Sequence, residues 1–273
     1  MRLPFLFILS FVLLLASCSS EVCVFENTKT CVNQKVSDLD LEKKPIILIY
    51  LPGSKQENEP DPCYPEENNH GFGVPNVVRQ TYLKLQKNHE IKLMAFCTPS
   101  KVSDFDGNNP EIKPKILLRT EDLTELLTQL KDNGADPKKV FLIGHSAGGW
   151  ATLLAKANNP TLANGVIAIA PAFAGKQMYR PKLWEDLRKS HIEIMNQAPH
   201  FNALLILFDQ DEFENTESMK SFREMHGVKI ELINGPILQA LNCPFIPMHN
   251  IPFDNCFDPY AEKMASFIEH SLK

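Results

Sequence analysis

Apolar positions along this chain fall into two periods. The run Pro45 to Leu51, PIILIYL, is apolar without interruption and ends in Pro52-Gly53-Ser54, which suits a strand buried on both faces of a parallel sheet. Ile91 to Phe96, Val140 to Ile143, Gly165 to Ala170, Ala203 to Phe208 and Val228 to Ile233 read the same way. Between them, helical spacing runs over Val77 to Asn88, Ile116 to Asn133 with Gly134 as its stop, Ser146 to about Asn158 before Asn159-Pro160, Thr216 to His226, and Pro259 to Leu272. Lys176 to His200 is mixed and partly helical, long enough for a small cap. Two β-rich runs around Asn27-Thr28-Lys29, within Val22 to Val36, predict a hairpin, while Lys55 to Asn76 and the polar stretch up to Pro114 read as loops. Strands alternating with helices predict an α/β domain with a mostly parallel central sheet and helices on both faces.

One junction carries chemistry. Leu142 to Trp150, LIGHSAGGW, sets a serine among small residues where a strand gives way to a helix. A serine hydroxyl is a weak nucleophile unless it is exposed, held in one orientation and paired with a base. A sharp strand-to-helix turn supplies exposure and orientation, and it tolerates little side chain two positions before and after the serine, where Gly144 and Gly148 stand. His145 is a neighbour of Ser146 and not its base, since adjacent residues on such a turn point apart. The plain alternative is a tight turn with an incidental serine.

With GHSAG at Gly144 to Gly148, the Pro52-Gly53-Ser54 turn and this element order, the chain resembles the α/β-hydrolase family from Pro45 to Lys273. The resemblance implies an α/β-hydrolase fold and a nucleophile, acid, base order. Ser146 is then the nucleophile, and Asp211, three residues past Phe208, is the acid, with Asp209 as competitor. Only His249 among the flanking histidines keeps the order, since His226 precedes the last strand and His270 lies in the closing helix. His249 departs from the usual pattern by standing far beyond Gly235. The resemblance also implies oxyanion donors at the backbone N–H groups of Ala147 and Ser54; Pro52 has none to give.

The ends and cysteines set the compartment. Leu3 to Ala16 is too short to span a bilayer and right for an export signal, and Leu15-Ala16-Ser17-Cys18 resembles the bacterial lipobox. The expectation is a signal peptide over residues 1–17, lipid on Cys18, and a single domain over 18–273 facing the periplasm or cell surface. Six cysteines remain, an even number that reads as disulfides in an exported chain. Fifteen pairings are open; closeness along the chain favours Cys23 with Cys31 and Cys243 with Cys256, leaving Cys63 for Cys97. The last close pair brackets His249, and closing such a loop constrains it by roughly 3 kcal/mol.

Formal net charge is −5 with no basic tract, which argues against nucleic acid as a partner. No cofactor or metal is implied: there is no CxxC pair, and the histidines are not at ligand spacing around the cysteines. Three functions stay open: a serine hydrolase acting on a small-molecule or lipid-like ester, an acyltransferase or peptidase on the same residues, and a binding lipoprotein that keeps the fold without turnover. Phe72, Phe173, Met178, Tyr179 and Trp184 could line an acyl pocket or form the core of a cap.

Overall fold

A computed structural model describes residues 20–26, 31–54, 73–98, 114–244 and 246–273. The expected export signal, Cys18, Cys63, Phe72 and most of the two expected long loops lie outside the described residues.

The expected hairpin forms as β1 (Glu21–Phe25) and β2 (Cys31–Lys35), and the Cys23–Cys31 disulfide crosses it with a Cα–Cα separation of 5.4 Å. The parallel strands are β3 (Ile46–Leu51), β4 (Ile91–Ala95), β5 (Val140–His145), β6 (Gly165–Ile169), β7 (Ala203–Phe208) and β8 (Val228–Ile233). The sheet order is β2-β1-β4-β3-β5-β6-β7-β8, with β1 antiparallel to both of its neighbours. Period-two alternation survives inside the continuous apolar run of β3. Ile47, Ile49 and Leu51 face one buried layer while Ile46, Leu48 and Tyr50 face the other.

Helices α1 (Asn76–Gln86) and α6 (Tyr260–Ser271) cover the Tyr50 face, and α2 (Lys115–Asp132), α3 (Ala147–Asn158) and α4 (Lys182–Gln197) cover the opposite one. The Gly134 stop has a backbone reason. At φ +96° it closes α2 while the N–H groups of Gly134 and Ala135 donate to Lys131 and Leu130 carbonyls, satisfying orphan acceptors at the helix end.

Three intervals depart from the sequence pattern or sharpen it. Lys176 to His200, long enough for a cap, supplies the β6–β7 crossover: α4 lies on α3, with the indole N–H of Trp150 donating to His191 Nδ1 at 3.2 Å. Thr216 to His226 is not an α-helix. Its buried residues Met219, Phe222 and Met225 are three apart, the period of the 3-10 turn at Lys220–Glu224, where helical spacing would need three to four. The stretch beyond β8 holds a short helix α5 (Gly235–Ala240), started by the Asn234 side chain accepting from Ile237 N–H, and then 3-10 turns at Met248–Phe253 and Asn255–Phe257. No apolar period marks so short a helix in the sequence.

Candidate active site

Ser146 occupies the β5–α3 junction at φ 54° and ψ −127°, a conformation that costs an L-residue on the order of 1–3 kcal/mol. Its own backbone groups hold it there. The N–H donates to the Ile169 carbonyl at 3.1 Å, and the carbonyl accepts from Trp150 and Ala172 N–H groups at 3.1 and 3.0 Å. A Cβ on Gly144 would fall on the Gly148 carbonyl, and one on Gly148 would fall on the Leu51 and Pro52 carbonyls. Gly148 therefore answers to the turn after β3 as well as to the junction itself.

That turn lies against the serine: a Cβ on Gly53 would stand 3.0 Å from Ser146 Cβ. Ser54 follows on the exposed side, and Ala147 opens α3. Arg119 of α2, buried, donates from Nη2 to the Pro52 carbonyl and so ties the turn to the helix layer.

Asp211 and His249 meet. The Asp211 side chain is fully buried, with Oδ2 2.7 Å from His249 Nδ1 and Oδ1 accepting from Phe213 N–H at 2.9 Å. The hydrogen between Nδ1 and Oδ2 belongs on Nδ1, which leaves Nε2 of a neutral His249 as proton acceptor. Asp209 is exposed and accepts from Thr216 Oγ1 at 3.2 Å. His226 and His270 are both exposed on other elements.

Residues that sequence reasoning did not select hold this pair in place. The Phe213 ring packs on His249 with centroids 4.3 Å apart, and the His249 carbonyl accepts from His145 Nε2 at 2.8 Å. Burial, helped by the neighbouring His249, pulls the His145 pKa down to about 3, so it stays neutral and donates. Beneath the Asp211 loop, Glu214 binds Arg180 Nη1 at 2.7 Å and Arg188 Nη2 at 2.8 Å, and Arg180 also donates to the carbonyls of Ala174 and Phe213. A buried ion triad has no signature in a linear sequence, because Arg180 and Glu214 look like any surface charges until packing buries them. Of the residues that could line an acyl pocket, Phe173 sits in the α3–α4 core against Trp150, Trp184 and His191, whereas Met178 and Tyr179 are exposed.

The Cys243–Cys256 disulfide, with Cα atoms 5.2 Å apart, closes the segment that carries His249. The Cys243→Ser, Cys256→Ser double variant should stay folded by circular dichroism yet react more slowly with a serine-directed phosphonate probe, by up to about 100-fold if His249 shifts by 1 Å. Full reactivity would mean that Asp211, Phe213 and His145 position His249 without the bridge. Cys97 is also disulfide-bonded.

His145 and His191, the latter pulled down to about 4 by burial, make the fold acid-sensitive. Both are held neutral in the fold while the unfolded chain takes up protons below about pH 6.5, so stability falls as pH drops below that value, by about 1.4 kcal/mol per pH unit for each histidine. Urea unfolding at pH 7 and pH 5 checks this, and His191→Gln should flatten the dependence; an unchanged slope would remove His191 from the account.

Comparison with known proteins places this architecture. A hydrolase family model described as serine aminopeptidase, S33, matches residues 115–220, a span that contains Ser146 and Asp211 and stops short of His249. No curated protein matches the chain. Among solved structures, DcsB in complex with its substrate analogue is similar at 13% identity and TM-score 0.54, covering 84% of this chain and 91% of its own. Est1E from Butyrivibrio proteoclasticus is similar at 12% identity and TM-score 0.54, covering 92% and 93%. MGS-M1, an alpha/beta hydrolase from a Medee basin deep-sea metagenome library, is similar at 15% identity and TM-score 0.53, covering 93% and 99%. The chain has the α/β-hydrolase fold.

Proposed function

We propose that this protein is a serine hydrolase that cleaves an ester or related acyl substrate through Ser146, His249 and Asp211. The observation that carries the reading is the buried 2.7 Å contact between Asp211 Oδ2 and His249 Nδ1, in a fold that also holds Ser146 in a strained turn. Ser146 Oγ attacks the acyl carbonyl while His249 Nε2 takes its proton. Asp211 keeps the imidazole in the tautomer that can do so and stabilises the imidazolium that forms. The negative charge on the former carbonyl oxygen is met by the N–H groups of Ala147 and Ser54, each worth roughly 3 kcal/mol when aimed at that oxygen.

Collapse of the intermediate breaks the bond to the leaving group, which departs with the proton from His249. Water then repeats the sequence on the acyl-enzyme, giving its proton to His249 and releasing the acid and a free Ser146. The match to a serine aminopeptidase model over residues 115–220 supports an amide bond as the second reading. A fluorophosphonate probe tests the common core: one covalent adduct, located on Ser146 by mass spectrometry, is the expected result. Labelling elsewhere, or none on folded protein, would count against both readings, and hydrolysis rates on paired p-nitrophenyl esters and anilides separate them.

A further inference from the structure

Three donor groups at the end of β3 have no acceptor among the described residues. Tyr50, 1% exposed, has an unpartnered hydroxyl; Arg119, 4% exposed, has unpartnered Nε and Nη1; and the half-buried Arg79 of α1 has an unpartnered Nε. They approach from different layers. Tyr50 and Arg79 belong to the face covered by α1, Arg119 reaches over from α2, and both guanidiniums act electrostatically on the Tyr50 hydroxyl. Asp122, one turn along α2, is the acid that acts on Arg119, and it leaves Nε and Nη1 unbonded.

Burial pulls the Arg119 pKa down to about 10, so the group stays charged at neutral pH, with Asp122 as an acidic neighbour and two donor atoms that no described residue fills. A buried donor without an acceptor is costly to leave unfilled. Such an arrangement is expected where an absent anion completes it. The charge also sits beside the reaction: Arg119 Nη2 holds the Pro52 carbonyl, one residue before the Gly53 that touches Ser146.

We infer that Tyr50, Arg79 and Arg119 form a subsite for a carboxylate carried by the substrate, next to the turn that faces Ser146. A single negative charge fits, because Arg119 is the one fully buried cation of the three groups and Arg79 is partly solvated. The inference rests on the hydrolase reading for its substrate but not for its binding chemistry.

The test therefore has two arms. In the first, folded Ser146→Ala protein is titrated with adipate and with uncharged adipamide while thermal unfolding is followed. Adipate should raise the midpoint in a concentration-dependent way and adipamide should not. Tyr50→Phe, which deletes only the hydroxyl, and Arg79→Met should each weaken the adipate response roughly 10-fold, the scale of one charge-assisted hydrogen bond. In the second, the unsubstituted chain is offered the p-nitrophenyl monoester of adipic acid and the corresponding mixed methyl ester. The anionic ester should have the higher kcat/KM, and the two variants should erase the preference, bringing the ratio of the two kcat/KM values close to one.

Equal responses to adipate and adipamide, or an adipate response untouched by both variants, would overturn the subsite. Equal kcat/KM for the two esters would overturn its role in substrate choice. Turnover surviving in Ser146→Ala would instead sink the hydrolase assignment and leave the binding result standing.

Discussion

Replacing Ser146 with alanine is expected to remove turnover of acyl substrates by roughly 10⁴-fold to 10⁶-fold while the protein stays folded. Alanine keeps the Cβ that already fits beside Gly53 and the backbone bonds to Ile169, Trp150 and Ala172, so the junction should hold its shape. Only the nucleophilic oxygen is lost. Asp211→Asn should cost about 10⁴-fold, because an amide can hold His249 in the wrong tautomer and cannot stabilise its protonated form. Asp209→Asn should leave the rate close to normal, since that carboxylate is exposed and bonded to Thr216. Steady-state rates on one p-nitrophenyl ester, with circular dichroism as the control for folding, decide all three; an Asp209 effect as large as that at Asp211 would reassign the acid.

The second large effect is on stability. Glu214→Ala should lower the unfolding free energy by about 3–5 kcal/mol, because it strands the Arg188 guanidinium, 9% exposed, and leaves the Arg180 guanidinium, 2% exposed, with only the half-buried Glu185 as its ion-pair partner. Ser218 Oγ, which donates to the same carboxylate at 2.7 Å, is left with the Asn215 carbonyl as its acceptor. Activity should fall further than stability alone explains. Arg180 links Glu214 to the Phe213 carbonyl, and Phe213 in turn donates to Asp211 and packs on His249, so the loop that orients His249 loses its mooring. Urea unfolding measures the first effect and probe-labelling rates under native conditions measure the second. A stability change within about 1 kcal/mol would mean that water replaces the carboxylate at little cost.

The sheet and its layers were legible in the sequence because continuous apolar runs such as PIILIYL and ALLILF can be satisfied only when both faces of a strand are covered. The sharp turn at Ser146 was legible for a related reason: Gly144 and Gly148 leave a steric trace that no surface loop needs. Residue chemistry and chain order also marked Asp211 and His249 as candidates.

Their meeting was decided by tertiary structure, which buries both side chains and brings them to 2.7 Å across a separation of 38 residues. The same is true of everything that supports them. His145, Phe213 and the Arg180–Glu214–Arg188 triad carry no local pattern, and whether a charged or imidazole side chain is solvated or buried depends on the layers folded over it. Tyr50 reads in sequence as one more apolar position of a strand, and Arg119 as one polar position of a helix. Only the packing of α1, β3 and α2 buries their donors without an acceptor among the described residues.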